Sequence, residues 1–410
     1  MTKRQLRVRI ALAATVAVGL LLAPEWLTTS DIVLRNDFFQ YWSAGRFVLA
    51  GGNPYDHAAF FEFQKALGWE NPRPILLWTP PWTVGLFLPF ALLRYAPAMM
   101  AWLFVQGVLL VACARAVWRL AGGDPEGERG AIFAVLLFTP SVLTLWSGQL
   151  GSWLVVGLTL AMLGTLRPRP MLAGLALPLL ALKPHFTFLL LLGLPLHALR
   201  RRRLGALLLG LGLGLGATLA VPLAFRPTLP GDYLATILAQ QPRQFVSDTL
   251  GAGLRLLAGW DRFWVQFLPL VGGLAWLGRE ALRRPRDEDV PVDAIPLLAL
   301  VSAFVAPYGW IFDTVTAIPA LLFGWAGIRA SADRAGRLRA ARIYFAASAL
   351  LMAFHVWLWD PMGWVHGWLP ALLLAVYLKV RPARHRGAGE APAVGDVAGA
   401  AVRASRSVSG

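Results

Sequence analysis

The sequence predicts an all-α, polytopic membrane protein with about twelve transmembrane helices and one further helix that lies at the membrane surface or re-enters it. Two observations carry this expectation. Charged residues make up only 15% of the 410-residue chain and hydrophobic residues 57%, with a mean hydropathy of +0.58, whereas soluble domains run near a quarter charged. The apolar residues also fall in runs that approach the about 20 residues a crossing helix needs, and short basic clusters separate them. The formal net charge of +16 sits in those clusters and not on one domain face, which is the pattern of membrane topology and argues against a nucleic-acid partner. The single cysteine, Cys113, lies in an apolar run, so an intrachain disulfide and a cysteine-based zinc site are both excluded.

The first apolar segment, roughly 8–27, follows Lys3, Arg4, Arg7 and Arg9 and ends in Leu21-Leu22-Ala23-Pro24-Glu25-Trp26. That end is a poor small-residue cleavage site, so the segment reads as a retained anchor with its N-terminus in the cytoplasm. A polar, aromatic-rich outer loop, 28–74, comes next. Further apolar segments lie at roughly 75–93, 96–118, 130–146, 151–166, 171–183, 185–199, 204–225, 263–279, 292–308, 311–329, 341–358 and 364–380. A second outer loop spans 226–262, with Tyr233 to Gln240 readable as a short amphipathic helix. The integral membrane domain is 1–380; the tail 381–410, rich in Ala, Gly, Arg and Ser, lacks the large apolar residues to fold and reads as disordered and cytoplasmic.

Loop charges set the frame. If spans alternate from residue 96 onward, Arg115/Arg119/Arg129, Arg167/Arg169, Arg200 to Arg203, Arg279 to Arg286, Arg329 to Arg342 and the tail from Lys379 all fall on one side, the cytoplasm. Loop 28–74 is then outside and Arg119 inside, so only one of 75–93 and 96–118 crosses. The segment opening Trp78-Thr79-Pro80-Pro81-Trp82 is taken as the one that does not, since non-spanning backbone at depth is tolerated where protein buries it or water reaches it. Twelve crossings with both termini inside follow.

Polar residues in this apolar setting are the candidates for chemistry. Asp37 stands in Asn36-Asp37-Phe38-Phe39-Gln40-Tyr41-Trp42, close after the first span; it is either a reactive carboxylate at the membrane surface or the N-cap of the helix that follows. Two breaks interrupt apolar runs on the outer side. Ser147-Gly148-Gln149 is either a plain tight turn or a contact point. Lys183-Pro184 places a lysine deep in a span, where it is costly unless partnered or near water, so it is a functional candidate or a snorkelling side chain. Pro184 starts a helix whose free amide groups favour an anion. Arg243, Arg255 and Arg262 are cations near the membrane in the second outer loop. Asp313 starts a span at its outer end, where a helix dipole would stabilise it. Asp360 reads as a turn before proline; His355 and His366 flank it without a carboxylate or cysteine at metal-ligand spacing, so no metal site is expected.

Asp37 with Tyr41-Trp42 and Ala44-Gly45, then Gly51-Gly52-Asn53-Pro54-Tyr55-Asp56, Trp78-Thr79-Pro80-Pro81-Trp82, Gly148-Gln149, Leu182-Lys183-Pro184 and Ala306-Pro307-Tyr308, in that order, resemble the polyprenol-phosphate-mannose-dependent mannosyltransferases of glycosyltransferase family 87, which have a C-type (multi-spanning) glycosyltransferase fold. The resemblance runs from about Asp37 to Val380. It implies Asp37 as catalytic base, mannose as the hexose, and the plasma (inner) membrane of a bacterium. Where that family has a polar pair after the Pro-rich start of a later span, this chain has Ile311-Phe312-Asp313, so a histidine role there does not carry over.

The residues fit such chemistry without the name. A sugar on a lipid phosphate is already activated, so one base for the acceptor hydroxyl and cations for the phosphate suffice, with no cofactor and no metal. Asp37 is the base candidate, Lys183 and Arg243 the phosphate holders, Gln149 a sugar contact, and Tyr41 and Asp313 further substrate-binding candidates. A single displacement inverts the anomeric centre. The partners expected are a polyprenyl-phosphate-sugar donor, a glycolipid or glycan acceptor and the bilayer. The competing reading is a transporter or flippase, which would share the broken helices and the intramembrane lysine.

Overall fold

A computed structural model describes residues 37–166, 169–240, 249–285, 293–331 and 369–380, with isolated residues between them. The expected anchor 8–27, the start of the first outer loop, most of the span 341–358, His355, Asp360, His366 and the tail from Arg381 lie outside the described residues. Among the described residues the structure is helical and has no strand.

Sixteen α-helices are numbered here in chain order among the described residues: α1 Phe38–Leu49, α2 His57–Ala66, α3 Trp82–Ala91, α4 Tyr95–Leu120, α5 Glu128–Leu136, α6 Thr139–Trp146, α7 Gly151–Leu166, α8 Pro170–Leu180, α9 Pro184–Arg200, α10 Leu204–Phe225, α11 Leu229–Ala239, α12 Leu250–Ala258, α13 Leu268–Arg283, α14 Ala294–Phe304, α15 Ile318–Arg329 and α16 Leu369–Val380. Two 3-10 turns, Phe263–Phe267 and Ile311–Ala317, lead into α13 and α15.

By length and composition three of these reach across a membrane: α4, α10, and Ile311–Arg329 taken as one. A fourth forms if α5 and α6, bent by 54° at their junction, count together. Pro140 explains that bend, because a proline at a helix start lacks the amide needed to continue the preceding helix. The other apolar helices are shorter, 10–17 residues. The spans differ in what they face: only 11% of the apolar window of α10 is buried, against 83% of that in Ile311–Arg329. The surface of α10 is therefore largely open, and Ile311–Arg329 is packed inside the helical assembly.

Helix α3 has ten residues, about 15 Å at 1.5 Å per residue, half of what a crossing needs. It packs on α1 and α10, and at Gly85 a β-carbon would meet the Thr218 carbonyl oxygen at 1.8 Å. Only glycine permits that approach.

Two cores hold the fold. The larger joins Leu110, Trp118, Leu158, Leu180, Leu194, Ile318 and Phe323 across α4, α7, α8, α9 and α15. The smaller is aromatic and surrounds α1: Phe38 stacks on Trp102 with centroids 5.4 Å apart, Phe39 on Trp69 at 4.9 Å and Tyr41 on Phe87 at 4.5 Å. Such ring pairs add about 0.5–1.5 kcal/mol each beyond the area they bury. The expected outer-loop residues are thus a folded layer. The second loop clasps the first, with Arg226 Nη1 donating to the Gly51 carbonyl at 3.2 Å and Thr236 Oγ1 to the Tyr55 carbonyl at 3.1 Å. Within the first loop Asp56 caps α2 by accepting from the Ala59 amide at 3.1 Å.

Candidate functional site

Aromatic packing of Phe38 and Phe39 fixes the start of α1, and with it Asp37. Asp37 occupies the N-cap position, yet its side chain makes no capping hydrogen bond to the helix. Its backbone amide donates to the Ser147 carbonyl at 3.0 Å, and its Oδ2 accepts from Gln149 Nε2 at 2.6 Å. The capping alternative is therefore not what the carboxylate does. Gln149 Oε1 in turn accepts from the Tyr41 hydroxyl at 3.1 Å. One turn of α1 and one break between helices are so joined through a single amide.

The 147–149 turn is rigid for local reasons. Gly148 has φ +67°, left-handed backbone that glycine adopts without steric cost. Its carbonyl accepts from Trp102 Nε1 at 3.0 Å, and the Gln149 amide donates to the Thr144 carbonyl at 3.0 Å.

The second break supplies a charge pair. Lys183, between α8 and α9, forms a buried ion pair through Nζ with Asp313 Oδ1. Asp313 Oδ2 accepts from the Trp310 amide at 3.0 Å, which is the expected role at a helix start. The ammonium also lies 4.6 Å from the centre of the Phe312 ring, a cation–π contact. Thr144 Oγ1 donates to the Phe312 carbonyl at 3.1 Å, so Thr144 links the Gln149 turn to the Asp313 segment.

Five of the six candidates therefore fall in one region: Asp37, Tyr41 and Gln149 by hydrogen bonds, Lys183 and Asp313 by their pair, with Thr144 between the two groups. The charges of Lys183 and Asp313 both reach Asp37. Burial pushes the Asp37 carboxyl above its ordinary value, against the hydrogen bond from Gln149 and the positive charge of Lys183, while Asp313 adds to the rise. A carboxylate so held is a stronger proton acceptor than one in water. Arg243 is placed elsewhere. It is exposed, its guanidinium lies 5.5 Å from the Phe263 ring centre, and its carbonyl accepts from Arg255 Nη1 at 3.1 Å.

Two further side chains were not among the candidates: His185 directly follows the Lys183-Pro184 break, and Tyr308 ends the motif Ala306-Pro307-Tyr308. The structure stacks their rings at 4.1 Å, two residues from Lys183, and leaves His185 Nε2 buried without a hydrogen-bond partner. A histidine next to the Lys-Pro break was the available signal. Among the described residues no three His, Cys, Asp or Glu side chains converge as metal ligands.

A family model described as glycosyltransferase family 87 matches residues 78–314. That span contains Gln149, Lys183, Arg243 and Asp313 and begins after Asp37 and Tyr41, which connect to it through Gln149. No curated protein matches the chain, and no solved structure does.

Proposed function

The chain belongs to glycosyltransferase family 87, and on that premise we propose that it moves a hexose, mannose in our reading, from a polyprenyl-phosphate-sugar donor to a glycolipid or glycan acceptor of the cell envelope. The reaction takes place on the extracytoplasmic side of a bacterial plasma membrane and inverts the anomeric centre. The observation that supports this best is the Asp37 carboxylate, turned away from its own helix toward Gln149 and within the field of Lys183.

In the proposed step Asp37 accepts the proton of the acceptor hydroxyl as that oxygen bonds to the anomeric carbon, and the bond from that carbon to the phosphate oxygen breaks. Gln149 holds one carboxylate oxygen, so Oδ1 is the oxygen aimed at the acceptor. Lys183 stabilises the charge that develops on the leaving phosphate. An ammonium has three donors, and the pair with Asp313 uses one of them. Preorganised charge of this kind acts strongly where water is excluded. Both termini inside and twelve crossings remain the topology we propose with this reading. Family membership disfavours the transporter alternative.

The direct test incubates purified protein in lipid with radiolabelled polyprenyl-phosphate-mannose and extracted envelope acceptors. Transfer of label to a lipid or glycan product is expected. Label that stays on the donor with every acceptor fraction, or that crosses the bilayer unchanged, would sink the proposal.

A further inference from the structure

Arginines gather at the end of α9 remote from Lys183. The helix has seventeen residues, which sets Arg200 roughly 25 Å along the axis from Lys183. The turn after it, Arg201-Arg202-Arg203, folds back on α9 through the Arg203 amide, which donates to the Ala198 carbonyl at 2.7 Å. Arg202 takes φ +55°, and among the described residues it is the non-glycine residue with positive φ. A side-chain-bearing residue in that region is costly and marks a place where the surroundings dictate the backbone.

The turn borders an open cavity of about 990 Å³, lined by Arg200 to Arg203 and, across it, Leu282 and Arg284. Arg200 forms its floor by donating to the carbonyls of Ala281 and Arg284, which ties α9 to the end of α13. Among the described residues no carboxylate lines this cavity. An apolar groove opens from it between α9, α13 and α14, walled by Gly193, Leu196, Trp276, Leu277 and Leu298. Among the described residues its one carboxylate, Glu280, stands 3.6 Å from Arg284. Leu199 and Leu282 on the rim are 58% and 88% exposed, which suits a hydrocarbon surround.

We propose that this is a binding site for an anionic phospholipid of the adjoining leaflet, the cytoplasmic one in the topology above. Its phosphodiester head lies among Arg201 to Arg203 and Arg284, and an acyl chain enters the groove. The shape and the charge select an amphiphile: a soluble anion would leave the groove unfilled, and an uncharged lipid would bring no charge to the cationic turn. Basic residues on that side also orient the chain in the membrane. Orientation needs only charge, however, and neither a cavity nor a left-handed arginine.

The site stands apart from glycosyl transfer, and its test is a binding measurement. Full-length protein, stripped of lipid in a nonionic detergent, is titrated with phosphatidylglycerol and with phosphatidylcholine and read by native mass spectrometry. Retention of phosphatidylglycerol alone is expected. Arg202→Gln with Arg203→Gln should weaken it about tenfold to thirtyfold, and the two lysine substitutions by less, since they keep the charge and lose the planar fork. Gly193→Leu changes no charge and places its side chain in the groove, where a β-carbon would meet Leu298 at no less than 3.6 Å; it too should lose the lipid. Equal retention of both lipids, or retention unchanged in the glutamine and Gly193 variants, would overturn the proposal. So would polyprenyl phosphate displacing phosphatidylglycerol at equal concentration, which would assign the site to the sugar carrier. Retention that appears only after Asp287, Glu288 and Asp289 are replaced by amides would assign it to that acidic segment of the chain.

Discussion

The side-chain amide of Gln149 bridges the Asp37 carboxylate and the Tyr41 hydroxyl, donating to the first at 2.6 Å and accepting from the second at 3.1 Å. Because Tyr41 OH donates to Oε1, Nε2 is committed to the carboxylate, and the orientation of the amide is set by both partners. Asp37 is thus positioned from a helix break 112 residues away, and the same break reaches Asp313 through Thr144.

Asp37→Asn keeps the size of the side chain and can still accept from Gln149, but it removes the proton acceptor. Sugar transfer should fall by roughly the hundredfold to ten-thousandfold typical of general-base loss, while thermal unfolding in detergent stays near that of the parent. Asp56→Asn, at a helix cap, should leave transfer largely intact. Near-normal transfer by the Asp37 variant would assign the base to another carboxylate.

The pH dependence follows from the raised carboxyl of Asp37. The base works only when ionised, so transfer should rise with pH and fall as pH drops through its apparent value, which lies above the ordinary value of about 3.9. Gln149 lowers that value by its hydrogen bond. Gln149→Leu should therefore move the acidic limb of the rate profile to higher pH and slow the reaction about tenfold to a hundredfold, as expected for a hydrogen bond to a charged group. An acidic limb at the same pH in parent and variant would separate Gln149 from the titrating group.

The sequence made the polar breaks legible one by one, because a lysine or a Gly-Gln pair stands out in a long apolar run. Their convergence was not legible. Asp37 to Gln149 and Lys183 to Asp313 are contacts over 112 and 130 residues, and nothing local in either segment encodes its partner. The same limit applies to the ion pair: Lys183 and Asp313 were each read alone, one as a functional or snorkelling cation within a span and the other as a helix-start carboxylate. Arg243 was legible as a cation near the membrane, but its placement over Phe263 depends on loop packing. Hydropathy likewise merges helices that proline separates, so the run 130–146 reads as one span while the backbone bends by 54°.

Topology can be checked at the segment that the charge frame excludes from crossing. With α3 only ten residues long, Gly52 and Arg94 should lie on the same, extracytoplasmic face. Single cysteines at either position, in a chain whose buried Cys113 is replaced by serine, should react with an impermeant maleimide on intact cells. Reaction at position 94 only after permeabilisation would mean that the segment crosses.

The Lys183–Asp313 pair allows the structural and catalytic roles of the lysine to be separated. Both side chains are almost fully buried, 6% and 1% exposed, so Lys183→Ala leaves an uncompensated carboxylate, and Asp313→Asn an uncompensated ammonium. Each should destabilise the protein by about 3–5 kcal/mol, whereas replacing both, Lys183→Met with Asp313→Leu, should recover most of the loss, because two well-packed apolar groups need no partner. If Lys183 also holds the donor phosphate, the stable double variant should still use the lipid donor poorly. Lys183→Arg, which keeps a cation, should retain part of that use. The deciding measurements are thermal unfolding and a donor titration on the same four variants. A double variant that regains parental stability and parental donor use together would make the lysine a structural partner of Asp313 and remove it from the site.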